Sequence, residues 1–354
     1  MVTLGHTDTT TAGRSAREAL AWSRDLVEPA LRAAVDTLPP SMRRIAGYHL
    51  GWWDEHDRPV RAAGGKAIRP ALALLTAEAV GGDAVAAVPA AVAVELTHNF
   101  SLLHDDVIDG DATRRHRPTA WAVFGRGAAI LAGDALLTLA FEVLATSGGG
   151  AAGDAGAGAA SRTLGAAVMD LVDGQSADIA FERRADVDLA ECVRMAEGKT
   201  GALLGCACAL GAVLGGGGPR QVERLRAFGE HLGLAFQLVD DLLGIWGDPA
   251  VTGKPVYSDL HSRKKSLPVV AALTSGTEEG RELAALYHRH GPLADADLVR
   301  AAELIDAAGG RAWSQGHADE LLARALHELR SASPAARAGA ELGAVARMVT
   351  RRDH

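Results

Sequence analysis

Residues 89–109, PAAVAVELTHNFSLLHDDVID, decide the fold class of this chain. The stretch is mostly apolar, has its single proline at the start and ends on a group of carboxylates, so it predicts a long helix. The same three- and four-residue spacing of apolar side chains recurs in residues 15–48, with a break at Pro39 and Pro40, and in 70–81, 127–146, 160–182, 188–214 and 220–246. Alternating strand patterns are absent from the sequence, which therefore predicts an all-α protein.

Length and composition favour one large helical unit. The chain has 354 residues, 48% of them hydrophobic and only 4% aromatic, which suits a core of Ala, Leu and Val. We expect a polar disordered leader over residues 1–14 and a single all-helical domain over 15–354. A Gly/Ala-rich stretch at 147–160 is typical of a flexible loop within that domain. The net charge of −8 gives no basic excess for a nucleic-acid partner.

The cysteine content and one uncharged segment bear on location. Cys192, Cys206 and Cys208 are too few and too clustered for a disulfide framework, which favours a reducing cytoplasm. Residues 200–218 carry no charge and approach membrane-spanning length. They are rich in glycine and alanine and end in four glycines, so we expect a buried core helix there and no stable membrane insertion.

The carboxylates that end residues 89–109 form a first acidic cluster. Asp105 and Asp109 are four residues apart and share one helix face, and His98 lies on the same stripe. Close carboxylates repel each other unless a cation lies between them, and Mg²⁺ with a bound phosphate suits such ligands. The alternative is a solvated acidic helix end. Arg114 and Arg115 follow within ten residues and could bind a diphosphate, or simply balance the charges of the cluster.

A second acidic cluster repeats this arrangement. Gln237, Asp240 and Asp241 end another apolar helix, and a Gly/Pro-rich stretch with cations follows them. Two such sites suggest two helices that present carboxylates across one cavity, although two unrelated acidic helix ends would look the same. Further cations occur beside glycines in residues 64–70, GGKAIRP, and 198–200, GKT. Glycine permits a close approach of the backbone to an anion, but such segments are also ordinary loops and caps.

Taken together, these motifs resemble the trans-polyprenyl diphosphate synthases, the enzymes that elongate isoprenoid chains. The resemblance covers roughly residues 60–270 and preserves the order of GGKAIRP (64–70), HNFSLLHDDVIDGDATRRHRPT (98–119), GRGAAILAGDALL (125–137), GKTGAL (198–203) and FQLVDDLLGIWGD through KKSLP (236–268). It implies a single bundle of antiparallel helices around a deep central cavity, an isoprenoid synthase fold, and a homodimer.

The resemblance also implies roles for individual residues. Metal ligands for about three Mg²⁺ ions would be Asp105, Asp106, Asp109, Asp240 and Asp241. The allylic diphosphate (dimethylallyl, geranyl or farnesyl) and its ions would contact Arg114, Lys199, Thr200, Gln237, Lys254 and Lys264. Isopentenyl diphosphate would contact Gly65, Lys66, Arg69, His98 and Arg115. The implied reaction is ionisation of the allylic C–O bond, attack on the carbocation by the isopentenyl double bond, and loss of a proton to the released diphosphate.

Two positions depart from the family pattern, and two others bear on product length. Gly244 stands where the family usually has the third aspartate of the second cluster, so Asp248 would compensate or that carboxylate would be dispensable; Ala67 replaces an arginine. Phe100 and Ser101, five and four residues before Asp105, resemble the pattern of geranylgeranyl (C20) producers. On an ideal helix, however, Ser101 lies nearer the Asp105 face than Phe100.

Three alternatives stay open at this point. The product could be farnesyl diphosphate or a longer chain. A class I terpene cyclase also ionises a prenyl diphosphate with Mg²⁺, but it needs no isopentenyl site and uses a different second motif. A non-catalytic subunit of a heteromeric synthase would not need the nearly complete set of charged residues found here.

Overall fold

The structure is a computed structural model that describes residues 13–60, 65, 67–147, 153–249, 256–289 and 291–350. The described residues are mostly helical, which confirms the all-α prediction. The helices are α1 Ala16–Val35, α2 Pro40–His49, α3 Ile68–Ala79, α4 Val88–Asp109, α5 Ala120–Phe124, α6 Arg126–Thr146, α7 Gly153–Glu182, α8 Leu189–Ala196, α9 Ala202–Leu214, α10 Pro219–Trp246, α11 Ser258–His261, α12 Leu267–Leu273, α13 Glu278–Tyr287, α14 Asp295–Ala307, α15 Gly310–Ser331 and α16 Ala336–Thr350.

Short irregular elements complete the chain. A 3₁₀ turn, Ala84–Ala87, precedes α4, and a π-helical turn, Glu197–Gly201, joins α8 to α9. Strands β1, Thr113–Arg114, and β2, Arg117–Pro118, form a two-residue antiparallel ribbon after α4. The ribbon and the π turn carry several of the predicted site residues.

The core is built around α4, α9 and α10. Helix α4 packs on α6 and α3, α9 lies against α3, α7 and α10, and α10 packs on α15. Small side chains allow these close approaches: a Cβ added to Gly211 of α9 would lie 2.0 Å from the carbonyl oxygen of Ala73, and one added to Gly229 of α10 would lie 2.5 Å from that of Leu204. The glycine-rich composition of residues 200–218 therefore serves helix packing, and α9 is a buried core helix as expected.

Two predicted boundaries differ from the structure. Helix α7 begins at Gly153, so residues 153–160 of the expected loop are helical, while 148–152 lie outside the described residues. Alanine has the strongest helix propensity, and Ala157 and Ala160 gain burial by extending the helix. The expected leader also ends earlier: Arg14 donates from Nε to Glu341 at 2.7 Å and packs on the ring of Trp22. Residues 1–12 lie outside the described part.

Among the described residues, three helical stretches are long and apolar enough to cross a membrane by length and composition: Ala84–Asp109, Arg126–Thr146 and Leu189–Leu214. Most of the apolar window is buried inside the protein for the first and third, but only 39% of it for Arg126–Thr146. Helix α6 therefore presents much of its apolar surface outward.

Candidate active site

The first acidic cluster lies at the carboxyl end of α4, where Gly110 in the left-handed conformation (φ 72°) ends the helix. Asp105 and Asp109 project from one face. Burial raises the pKa of Asp105, and the Asp109 charge raises it further, while Lys199 opposes the shift. Burial likewise raises the pKa of Asp109 against Lys199 and Lys264. Two such carboxylates side by side favour a bound cation.

Asp106, the middle carboxylate, does not share the helix face of Asp105 and Asp109. It is only 1% exposed and accepts a 2.7 Å hydrogen bond from Nε of Arg114. Burial raises the pKa of Asp106 to about 6, although Arg114 acts in the opposite direction. The structure therefore gives Asp106 the role of holding Arg114, and its predicted contact with a metal stays a prediction.

The β1–β2 ribbon sets the direction of the neighbouring arginine. Arg114 pairs with Arg117 across the ribbon, and the two turn residues Arg115 and His116 have φ of 52° and 61°. Non-glycine residues adopt this conformation only when the surroundings enforce it, and they concentrate at functional sites. Arg117 anchors the ribbon through bonds to the carbonyl oxygens of Tyr48 at 3.1 Å and Trp53 at 3.0 Å. The ribbon thus fixes Arg114 and Arg115 beside the acidic cluster.

The π turn supplies a second wall of the site. Lys199 donates to Asp178 of α7 at 2.6 Å, and Thr200 donates to Oε1 of Gln237 at 2.6 Å. A Cβ at Gly174 would lie 2.5 Å from the backbone nitrogen of Lys199, so the glycine allows α7 to approach this turn closely. π turns inside helices are frequently found at functional sites, because the extra residue redirects the neighbouring side chains.

Asp241 and Lys264 complete this wall. Asp241 accepts from Gln237 Nε2 at 2.7 Å and from the Leu267 backbone nitrogen at 2.9 Å. Burial raises the pKa of Asp241 to about 6 against the charge of Lys264. Burial alone would lower the pKa of Lys264, but the surrounding carboxylates raise it, so this lysine stays charged. Both oxygens of Asp241 thus have partners within the protein, while its predicted contact with a metal stays a prediction.

A second charged group surrounds Arg69 and His98, about two helical turns before Asp105. Burial lowers the pKa of Arg69 to about 10, against the charges of Glu95 and Asp240. His98 is buried beside Arg69, Arg115 and Arg114, and both burial and these charges lower its pKa well below the usual value, so the imidazole is neutral. A Cβ at Gly65 would lie 2.8 Å from the Arg115 guanidinium. The structure thus brings together the described residues of the predicted isopentenyl diphosphate site.

Three residues near these groups were not predicted from the sequence. Asp178 is the partner of Lys199, and Glu95 is held by Asn99, whose Nδ2 donates to Glu95 Oε1 at 3.1 Å. His49 lies near Arg115 and Arg114, and burial together with these charges lowers its pKa to about 3. Glu95 was detectable in principle, because it lies three residues before His98 on the same helix. Asp178 of α7 and His49 of α2 reach the site only because their helices pack against the elements that carry it.

Some predicted residues lie outside what the structure describes or are not tested by it. Lys66 and Lys254 are outside the described residues. Asp240 is partly buried, and Asp248 is exposed just after α10. Ala67 has φ 52° and begins α3. No group of three His, Cys, Asp or Glu side chains that could hold a metal on its own occurs in the described residues.

The residues proposed to set product length face different directions. Phe100 is 6% exposed and packs edge-to-face on His104, with ring centroids 4.7 Å apart. Its ring approaches Gly133 of α6. Ser101 is partly exposed, donates to the His98 carbonyl oxygen at 2.8 Å and shares the face of Asp105. Ser101, rather than Phe100, therefore lies on the carboxylate side of α4.

The donor set fits Mg²⁺ bound together with a phosphate. Asp105 and Asp109 offer hard oxygen ligands, and burial raises the pKa of both carboxyl groups, so a bound cation would favour their charged forms. Lys199 and Lys264 oppose these shifts only in part. Because the described residues do not form a complete set of metal ligands, the remaining ligands would come from water and a diphosphate, as is usual for Mg²⁺.

A model of the polyprenyl synthetase family matches residues 56–305. The chain belongs to this family. A (2E,6E)-farnesyl diphosphate synthase of Mycobacterium tuberculosis is 53% identical over 303 residues, covering 84% of this chain and 83% of that protein. A geranylgeranyl diphosphate synthase of the same species is 46% identical over 325 residues, covering 92% and 91%. The crystal structure of a polyprenyl synthetase from Streptomyces coelicolor superposes with a TM-score of 0.89 at 48% identity, covering 94% of this chain and 98% of that one.

Family membership establishes the type of reaction. The polyprenyl synthetase described here is a prenyltransferase with the all-α isoprenoid synthase fold, and it elongates prenyl diphosphates as a short-chain synthase. The relatives differ in the product named for them, since a farnesyl and a geranylgeranyl synthase are both close in sequence. The length of the product is therefore a separate question from the class of the enzyme.

Proposed function

We propose that this synthase condenses isopentenyl diphosphate head-to-tail with an allylic diphosphate, with Mg²⁺, and releases geranylgeranyl diphosphate. The observation that carries the proposal is the arrangement of charge at the end of α4. Asp105 and Asp109 lie near Lys199, Arg69 and His98 form a neighbouring group, and Arg114, paired with Asp106, acts on both His98 and Asp105. Two anionic substrates would thus be held next to each other.

The residues of the π-turn wall would bind the allylic diphosphate. Lys199 and Lys264 supply ammonium groups, Thr200 and Gln237 supply neutral hydrogen-bonding groups, and Arg114 supplies a guanidinium. When bound, Mg²⁺ held by Asp105, Asp109 and Asp240 would neutralise the diphosphate and make it a better leaving group. The fixed cations of the protein stabilise the negative charge that develops as the diphosphate departs.

The arginine pocket would bind isopentenyl diphosphate. Arg69 is partly buried and Arg115 is exposed; both guanidiniums stay charged at neutral pH, and a guanidinium fork suits a diphosphate. Neutral His98 can donate one hydrogen bond without adding charge. Fixing both diphosphates sets the double bond of one substrate against the allylic carbon of the other, which is the contribution of proximity to the rate.

Product length rests on Phe100 and Ser101. One aromatic residue followed by a small one supports geranylgeranyl diphosphate as the product. The 46% identity to a geranylgeranyl diphosphate synthase supports the same product. The 53% identical farnesyl synthase supports the shorter product, farnesyl diphosphate. We give priority to the C20 product because Ser101 leaves room on the face of α4 that carries Asp105.

Product chromatography tests the proposal. The purified full-length chain is incubated with Mg²⁺, isopentenyl diphosphate and, in turn, dimethylallyl, geranyl or farnesyl diphosphate, with a chelator as control. We expect geranylgeranyl diphosphate as the longest main product and none with the chelator. Omission of isopentenyl diphosphate should abolish turnover, whereas a terpene cyclase would still consume the allylic substrate. Absence of turnover with all three starters would favour a non-catalytic subunit.

We also propose that the synthase is a cytoplasmic homodimer joined through α6 and α7. Large apolar side chains are exposed on both of these neighbouring helices: Ile130, Leu131, Met169 and Val172 are between 40% and 68% exposed. A contiguous exposed apolar surface favours a protein interface. The three cysteines are buried free thiols, which suits a reducing compartment. Sedimentation should give a dimer for the wild type and a monomer for Leu131→Glu with Met169→Glu; a monomeric wild type would contradict the interface.

A further inference from the structure

The carboxyl end of α2 is fixed to the β1–β2 ribbon. The hydroxyl of Tyr48 donates to the carbonyl oxygen of Pro118 at 2.8 Å, and the carbonyl oxygen of Tyr48 accepts from Arg117 at 3.1 Å. The Arg117 guanidinium also lies over the Tyr48 ring, 4.5 Å from its centroid. His49, which ends α2, is therefore held next to the ribbon and its arginines.

A small cavity lies between the end of α2 and the ribbon. Its volume is about 30 Å³, and its walls include His49, Asp106, Arg114 and Arg115. Nε2 of His49 and Oδ2 of Asp106 are both buried, and neither has a hydrogen-bond partner among the described residues. The other carboxylate oxygen, Oδ1 of Asp106, accepts from Arg114. Two unpartnered polar atoms thus belong to side chains that line one cavity.

The cavity is large enough and polar enough for one water molecule. A buried polar atom without a partner costs free energy, and native proteins satisfy nearly all such atoms with protein groups or ordered water. A water needs a cavity of at least about 10–15 Å³ and two to four polar partners. An ionised carboxylate such as that of Asp106 can only accept, so the water would donate to Oδ2 and use its other groups for the imidazole of His49 and the guanidiniums.

The imidazole of His49 suits this position because it is neutral. Burial and the charges of Arg115 and Arg114 lower its pKa to about 3, so the ring adds no charge beside the guanidiniums. The nitrogens of a neutral imidazole can donate one hydrogen bond and accept another. Asn99 also lies beside the ring and has an unpartnered Oδ1, but it is not part of the cavity wall. The cavity therefore connects His49 to Asp106.

We propose that His49 is a positioning residue of the active site: one bound water in this cavity joins Nε2 of His49 to Oδ2 of Asp106, and the fixed carboxylate holds Arg114 toward the allylic diphosphate. The water restrains the second oxygen of a carboxylate whose first oxygen binds Arg114, so the carboxylate does not rotate away from the guanidinium. His49 touches neither substrate in this arrangement. The inference rests on the role of Arg114 in the proposed function.

Substitutions that keep or remove a polar group at the place of Nε2 test the proposal. The amide of glutamine reaches about as far as Nε2, asparagine reaches only to the place of Nδ1, and phenylalanine fills the space without a polar atom. We expect His49→Phe and His49→Asn to lose about tenfold in kcat/KM for the allylic substrate, with a smaller change in KM for isopentenyl diphosphate, and His49→Gln to recover most of the loss. Full activity of His49→Phe, equal losses in the Asn and Gln variants, or equal losses for both substrates would overturn the proposal.

His56, in the turn after α2, offers a matched control. Its side chain is 67% exposed, so His56→Phe makes the same substitution close to α2 but outside the cavity wall. We expect its kinetics to match the wild type. If His56→Phe were as damaging as His49→Phe, the loss would follow from any phenylalanine in this region, and the positioning role of His49 would be refuted.

A crystal structure of the wild-type chain tests the arrangement without turnover and covers the case in which the variants do not fold. At a resolution that shows ordered water, we expect one water within about 3.2 Å of both Nε2 of His49 and Oδ2 of Asp106. A cavity without water, or a direct bond from Nε2 to Asn99 in place of the water, would overturn the proposal. If the chain makes no prenyl product, the proposed function fails, and the crystal structure still decides whether water joins His49 to Asp106.

Discussion

Replacing Ser101 with phenylalanine should shorten the product of this synthase. Ser101 lies four residues before Asp105 on the same face of α4, about 6 Å along the helix axis. It is partly exposed and its hydroxyl donates to the His98 carbonyl oxygen, so a larger side chain would project into the space beside the substrates. Phe100 instead packs on His104 and toward α6.

The size of the effect follows from packing. Forcing extra bulk into a filled site costs about 1–3 kcal/mol, and a product chain that must pass the new ring would meet that cost while a shorter chain would not. The ratio of the longest product to the next shorter one should therefore fall by about 5- to 150-fold. The ratio is measured by chromatography of products grown from geranyl and farnesyl diphosphate at equal conversion.

Two further variants make the result decisive. Ser101→Ala removes the hydroxyl without adding bulk and should leave the ratio close to that of the wild type. Phe100→Ala should lengthen the product if Phe100 forms the floor of the channel, as the family resemblance implies. An unchanged ratio in Ser101→Phe together with a longer product in Phe100→Ala would refute the reasoning from the helix face.

Other contacts give further expectations. Phe100→Ala should also destabilise the protein by about 3–5 kcal/mol in chemical denaturation, because it leaves a cavity between α4 and α6; a loss below about 1 kcal/mol would contradict this packing. Asp178→Asn removes the partner of Lys199 and should raise KM for the allylic substrate more than for isopentenyl diphosphate, whereas equal changes would argue against a local role. Glu341→Gln should lower the unfolding midpoint, since this buried carboxylate accepts from Arg14 and Arg337, while Glu320→Gln, at an exposed site, serves as the control.

Much of the fold and of the site could be predicted from local pattern. Apolar spacing located most helices from α1 to α10 to within a few residues. It missed the short α5 and the π turn between α8 and α9, and it placed the start of α7 too late, because alanine continued that helix into a stretch with loop-like composition. The i, i+4 rule placed Asp105 and Asp109 on one face, because that relation depends only on helix geometry. The order of the motifs predicted that Arg114 and Arg115 and the second acidic cluster belong to the site. Most of the described residues of these motifs lie close together in the structure.

The sequence by itself determined the helical class and the two groups of charged residues, because each depends on neighbours within a few residues along the chain. It also determined the family, because the order of the motifs along the chain is itself a property of the sequence. The partners of those charges were decided only by the tertiary structure. Asp106 pairs with Arg114, and Asp178 contacts Lys199, which is twenty-one residues later in the chain. Packing of separate helices brings these groups together, and burial then sets their pKa values.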